Sequence, residues 1–513
     1  MTTSSITPDR LNDGSNGNKA GKDRSAAEAR RRIIEKSLTK RHSRENLFRR
    51  LGLAAVSLGL LFVALFFVSI LWRGLPAFWQ SAIPVNVYFD PAIVQVPARP
   101  VQMANETPAD FKKRDLAWQG QLGLVDWDAL IVNSLVAKNP KIAPELKDPA
   151  KLAALNQQMA DNPDAFTEES LAANPALAAQ VKVSETADSK RASLISLFEN
   201  GEGYRLRDLV KNDPSLIGKS QNVSLWAAAN VDVWLSGNID RSLPDEQQQL
   251  SPEVRQIADQ LQAEGVIQNK FNTPLFLNPD SRNAPATSGL AGAFVGTLYM
   301  MLIVLIFTIP VGVAGAVYLE EFAPRNRLTD LIEVNINNLA AVPSIIFGLL
   351  GAAIFISAFD LPRSAPLVGG LVLSLLTLPT VIIATRASLR AVPPSIRQAA
   401  LGLGASKMQS VFHHVLPLAI PGILTGVIIG LAHALGETAP LLLIGMKAFV
   451  ASVPHSPLEP STALPVQVYL WQGNELRNFF EARTAAAIIV LLALLISLNG
   501  LAIWLRKKFE VRW

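Results

Sequence analysis

Residues 51–72 read LGLAAVSLGLLFVALFFVSILW, 22 residues without an Asp, Glu, Lys or Arg. As an α-helix rising 1.5 Å per residue this run is about 33 Å long, enough for a hydrocarbon core of roughly 30 Å. The chain before it is opposite in character. Residues 1–50 carry 13 Lys/Arg and 6 Asp/Glu, a balance of +7, although the whole 513-residue chain carries only +5. A basic leader followed by an uncharged run is the positive-inside signal of a membrane anchor rather than a nucleic-acid-binding arm. A cleaved signal peptide is not expected: its apolar region is about 7–15 residues long and lies near the start.

The composition agrees with a membrane class. Apolar residues make up 50% and charged residues 17%, against roughly 25% charge in ordinary soluble domains. Disordered, collagenous and disulfide-stapled classes are excluded on these figures. The chain has no cysteine, which rules out a thiol nucleophile, a zinc ribbon, an iron–sulfur cluster and any disulfide.

Working outward, residues 1–25 are rich in Ser, Thr, Asn, Gly and Asp and read as a disordered tail. Ala26–Arg50 reads as a basic helix with Ile33, Ile34 and Leu38 on one side. It is either an interface helix or a solvated lead-in. Residues 73–285 hold no further spanning run and read as a soluble, mostly helical domain. Within it, Ser251-Pro252-Glu253 followed by Ile257, Leu261 and Gly265 marks a capped helix. Asn222–Trp234, with β-branched and aromatic residues, reads as including a strand.

Apolar runs resume at Leu290–Leu319, Ile336–Ala358, Leu367–Thr385, Leu416–Met446 and Thr484–Leu505. With 51–72 they predict an all-α polytopic protein of six transmembrane helices. Residues 1–50 form a basic tail, 73–285 an extramembrane domain between helices 1 and 2, and 286–510 a core of five helices. If the tail is cytoplasmic, the segments 320–335, 386–415 and 506–513 share its side and carry ten Lys/Arg, against four on the short segments opposite. The orientation is self-consistent, with both termini cytoplasmic and 73–285 outside.

Enzyme signatures fail. There is no G-x-x-x-x-G-K-[ST], H-E-x-x-H or G-x-S-x-G; Gly402-Leu-Gly404-Ala-Ser-Lys407 has the wrong spacing for a phosphate loop. His413 and His414 are adjacent and point about 100° apart on a helix, a poor chelate. No catalytic residue, metal or cofactor is expected.

The segment 386–415 contains Arg-Ala-Val-Pro-Pro-Ser-Ile-Arg397-Gln398-Ala399-Ala400-Leu-Gly-Leu-Gly404. Pro394 suits a first helical turn and Gly404 a tight turn. Small Ala399 and Ala400 permit close approach by another protein. On composition alone an ordinary membrane-surface loop is the favoured reading. The motif Gln398-Ala399-Ala400, Gly404 four positions later and Leu416-Pro417 resembles the E-A-A-x-x-x-G-x9-I-x-L-P loop of ABC importer permeases. That resemblance implies a type I importer (MetI-like) core in which 386–415 docks an ATPase, with Arg397, Gln398, Ala399, Ala400 and Gly404 at the contact. Gln398 replaces the usual Glu and His414 the usual Ile, so a salt bridge from position 398 is not implied.

The fifth run reads Leu431-Ala-His433-Ala-Leu-Gly-Glu437-Thr438-Ala-Pro440. A charge in a membrane segment costs roughly 2.5–3.5 kcal/mol on insertion scales unless it finds a partner, water or a proton. On a helical wheel Gly422, Gly426, Gly430, His433 and Glu437 share an arc of about 80°. The glycine stripe permits close helix packing. The face is either a substrate path or gate, or a buried polar pair locking two helices. His433 and Glu437 stand one turn apart and can pair when the imidazole is protonated.

Gly436-Glu-Thr-Ala-Pro440, Asn338-Leu-Ala-Ala-Val-Pro343-Ser-Ile and Tyr318-Leu-Glu-Glu321-Phe-Ala-Pro324 resemble PstA-type phosphate permeases over about 286–510. Position 433 is commonly basic in that family, often Arg. The resemblance implies an inner-membrane phosphate importer subunit with His433, Glu437 and Thr438 along the substrate path or gate. It also implies as partners a second phosphate permease, two ATP-binding subunits that hydrolyse ATP, and a periplasmic phosphate-binding protein, with membrane lipid around the spans and no nucleic acid. The shortest family members lack an insert like 73–285, which is similar to the large first outer loop of others; docking, gating or a structural cap remain open for it. A permease for another oxyanion and a membrane receptor with an outer sensing domain are the rival readings.

Overall fold

The computed structural model describes residues 16–146, 149–162, 166–447 and 449–509. The chain divides into two compact units, Met1–Ser69 and Ile70–Trp513. Helix α1, Asn16–Gly74, supplies the described part of the first unit. The disordered tail expected at 1–25 is corrected for residues 16–25, which are helical; residues 1–15 lie outside the described residues. Ala26–Arg32 consists only of Ala, Glu and Arg, strong helix formers from which a helix extends backward at little cost.

The inserted domain is mostly helical, with a three-stranded antiparallel sheet of order β2-β1-β3. The strands are β1 (Trp79–Tyr88), β2 (Ser220–Trp226) and β3 (Gln268–Phe271). Only the second lies in the stretch read as including a strand. In the first, Ile83, Val85 and Val87 are buried, as is Phe89 just beyond it. Alternate residues thus face one core, but proximity to the first apolar run and the interrupting Pro84 hide the period. The stretch from Asn222 changes form after Trp226, where α2 (Ala229–Leu235) begins. The capped helix stands as read: Ser251 accepts from the Val254 N–H, α3 runs Pro252–Ala263, and Gly265 has φ +71°.

Five helices among the described residues are long and apolar enough to cross a membrane, or six if one bent pair forms a span. The core helices are α4 (Ala291–Val317), the bent pair α5 (Arg327–Ala340) and α6 (Ser344–Gly351), α7 (Pro366–Ala391), α8 (Pro394–Gly402), α9 (Leu416–Gly436), α10 (Ala439–Leu443), α11 (Leu464–Gln472) and α12 (Arg477–Phe509). The span expected over Ile336–Ala358 is broken: the two helices meet at 103°. Pro343 has no N–H for the ladder and its ring drives Val342 away from helical geometry.

The expected run Leu416–Met446 is likewise not one helix. It ends at Gly436, Glu437 is extended with φ −79° and ψ 125°, and Pro440 opens α10. The wheel argument therefore reaches only to Gly436. Below it, the glycine stripe lies against α7. A Cβ at Gly422 would collide with Ser388 and one at Gly426 with Ala384, while one at Gly430 would make an ordinary 3.5 Å contact with Val381. One apolar core joins both parts of the second unit, since Ala229, Val233 and Leu275 cluster with Met300, Val372 and Phe480.

Candidate functional site

The segment after α7 folds as its residues dictate. Pro394 occupies the first turn of α8. The helix closes on the Leu403 N–H to the Ala399 carbonyl (3.1 Å), and Gly404 follows with φ +87°, a conformation costly for a residue with a Cβ. Ser406 and Gln409 then form a reciprocal capping box. Gln398 and Ala399 are exposed, as are Leu401, Leu403 and Met408, whereas Ala400 is buried. Leu403 is 91% exposed.

Arg397 points the other way. Its Nη2 and Nε donate to Glu321 Oε1 at 2.6 and 3.0 Å, and Nη1 and Nη2 donate to the carbonyls of Val392 and Leu389, both at 2.8 Å. Glu321 lies on the single π-helical turn Tyr318–Phe322 that extends α4. Beside it, Arg390 Nε pairs with Glu320 Oε1 at 2.8 Å, and Arg386 joins Glu320 to Glu333 of α5. Sequence reading counted Arg386 and Arg390 only as topology signals and placed Arg397 at the ATPase contact, not against Glu321. The available clue was the acidic pair ending one apolar run opposite three arginines ending another.

At the other end of α9, His433 Nε2 lies 2.9 Å from Glu437 Oε1. The His433 side chain is 52% exposed and that of Glu437 19%. The two stand one turn apart, and the chain leaves helical geometry at Glu437. Thr438, half-buried, follows in the break and its carbonyl accepts the Leu442 N–H at 3.1 Å. The glycines of the stripe lie lower on α9 against α7, so they are joined to this pair by the helix and not by contact. No group of three or more metal-ligating side chains occurs among the described residues.

A second polar centre escaped the sequence. Arg483, counted there as an outer-loop charge, is 2% exposed within α12. It donates to Gln80 Oε1 at 2.9 Å, to the Ala286 carbonyl at 2.6 Å and to the Ser288 carbonyl. It thus fastens the first strand of the insert and the segment entering α4 to the last helix. Two carboxylates stand near it. Asp232 accepts the Ser81 N–H at 2.8 Å, and Glu199 accepts those of Ala286 and Ala229 at 3.0 and 3.2 Å. Burial raises the pKa of both. Burial also pushes Glu202 up to about 7, against the pull of Arg205 at 2.6 Å.

Fold and surface define a multi-pass α-helical membrane protein with a large domain between its first two apolar helices. Residues 308–511 match the family described as binding-protein-dependent transport system inner membrane component. Residues 35–175 and 148–245 match a domain of unknown function, DUF3333. The probable ABC transporter permease protein YqgI of Bacillus subtilis is 30% identical over 250 residues, which are 46% of this chain and 83% of that protein. The phosphate transport system permease protein PstA of Xylella fastidiosa is 30% identical over 230 residues, 43% of this chain and 76% of that protein. Among solved structures, an inward-facing form of the MetNI methionine ABC transporter covers 43% of this chain and 95% of its own, with 19% identity and a TM-score of 0.34. The chain belongs to the permease family of ABC transporters. It is a transporter subunit rather than an enzyme.

Proposed function

We propose that this chain is a permease subunit of an ATP-driven importer of inorganic phosphate. The observation that carries the substrate is the 30% identity to PstA over 230 residues, together with the stretch Gly436-Glu-Thr-Ala-Pro440. His433, Glu437 and Thr438 lie along the path or its gate. Protonated His433 attracts an anion, and Glu437 holds the ring or accepts a hydrogen bond from monohydrogen phosphate. About half of the His433 side chain is uncovered by this chain, which suits a wall completed by a second permease.

Two ATP-binding subunits supply the energy by docking against residues 394–408. The uncovered Gln398, Ala399, Leu401, Leu403 and Met408 support that reading, because apolar side chains in a loop between polar ends suit a protein contact. Both termini are cytoplasmic, and 73–285 faces outside, where a phosphate-binding protein delivers its cargo. Closure of the ATPases then shifts the permease between inward- and outward-facing states.

Labelled-phosphate uptake in cells lacking this chain, with and without the gene restored, tests the reading. Restored phosphate uptake with unchanged sulfate uptake is the expected result. The printed name of the Bacillus relative gives no substrate, so another oxyanion is the second reading. Restoration of sulfate uptake alone would replace phosphate with it.

A further inference from the structure

Residues 394–408 present two unlike faces. Gln398, Ala399, Leu401 and Leu403 look away from the protein, while Arg397 is turned into it. This one guanidinium has three tasks. It neutralises Glu321, whose side chain is 8% exposed. It accepts none of the chain's flexibility at Val392–Pro393, because it bonds to the Val392 carbonyl itself. It also bonds to the carbonyl of Leu389 in the last turn of α7, which accepts the Val392 N–H at 3.3 Å as well.

The neighbouring pairs extend this clamp. Glu320 takes Arg386 and Arg390 of α7, and Arg386 reaches Glu333 of α5. The π-helical turn after α4, the middle of α5, the C-terminal part of α7 and the first turn of α8 are thereby tied by alternating carboxylates and guanidinia. Without Arg397, α8 would hang from α7 by the short connector Val392-Pro393 and its apolar contacts. With it, a displacement of α8 is delivered to α4 and α7 together. Helix α7 packs along the glycine stripe of α9, whose far end carries His433 and Glu437.

We infer that Arg397 and Glu321 are positioning residues that lock the ATPase-docking segment to α4 and α7, so that ATPase closure moves the transport helices instead of bending the connector. The inference rests on reading 394–408 as the docking segment. It also gives Arg397 a role distinct from a direct contact with the ATPase.

The test uses the full complex, with its second permease, ATPases and binding protein, in proteoliposomes. Labelled-phosphate import and ATP hydrolysis are measured on the same preparation, with ATPase content read from the purified complex. R397Q and E321Q should each lower phosphate imported per ATP by about tenfold, within the usual range of coupling between sites. ATPase content should stay at the wild-type level. R397K and E321D, which keep the charges, should recover part of the ratio. An unchanged ratio in both Gln variants overturns the inference. So does a loss of import that merely follows loss of bound ATPase, since that is a docking role. If R397Q does not reach the membrane, E321Q carries the test, because it leaves the carbonyl bonds of Arg397 in place. A wild-type complex without an ATPase overturns the docking reading and this inference together; import of sulfate in place of phosphate changes only the cargo.

Discussion

His433 and Glu437 face each other across the end of a transmembrane helix, Nε2 to Oε1 at 2.9 Å, and only Glu437 has left helical geometry. The pair is ionic only while the imidazole holds its proton. Histidine is the side chain whose charge changes in the ordinary physiological range. Glu437→Gln should therefore lower phosphate uptake without reducing the amount of assembled protein. His433→Arg, which keeps a cation at this position, should keep uptake. Loss of uptake in His433→Arg, or normal uptake in Glu437→Gln, would count against a role of this pair in transport.

The glycine stripe gives a graded packing prediction. Gly422 and Gly426 have no room for a Cβ against Ser388 and Ala384, whereas Gly430 has. Gly426→Leu should destabilise the α7–α9 contact by about 1–3 kcal/mol, the usual cost of overpacking. Gly430→Ala should change little. Thermal unfolding in detergent ranks the two, and equal melting temperatures would show that α9 does not rest on α7 as described.

Glu202 gives the insert a pH dependence of definite sign. Burial raises its pKa from 4.5 to about 7 in the folded protein. The folded state then binds more protons than the unfolded state between those values, so stability falls as pH rises through that window. The contribution is full below the unfolded value and lost above the folded one. At about 1.4 kcal/mol per unit its upper bound is on the order of 3 kcal/mol. Glu202→Gln should raise the melting temperature at pH 8 more than at pH 5. A gain of equal size at both would show that the carboxyl titrates as it does in the unfolded chain.

The chain has no cysteine, so a single introduced thiol reports on one place. Leu124→Cys lies on an exposed part of the insert and Leu403→Cys on the exposed part of the docking segment. A membrane-impermeant maleimide should label position 124 in intact cells and position 403 only after permeabilisation. The reverse pattern would invert the proposed orientation.

Much of the core was legible because its signals are local. An apolar run of spanning length needs no partner to be recognised, and Pro394, Gly404 and Ser251 act on their own turns. Pro343 was quoted as part of a family motif, and no bend was assigned to it. Mean apolarity carries no information about direction, and a bend of 103° leaves it unchanged. In the fifth run Leu441, Leu442 and Leu443 continue the apolar composition beyond Gly436 although the helix does not; Pro440, which bends or ends a helix, was the local sign of the break. At the candidate site, the spacing of His433 and Glu437 suggested their pairing, but the extended Glu437 that shapes it was not visible.

By itself the sequence determined a basic leader, an apolar run of spanning length, an insert, an apolar core and a loop with a glycine turn. These depend on residue type and spacing along a few turns of chain. The tertiary structure decided which charges meet. Arg397 and Glu321 are 76 positions apart, and Arg483 and Gln80 are 403 apart. A buried guanidinium must find acceptors to offset its desolvation. Which carboxylate or carbonyl serves follows from where the helices end and how they pack.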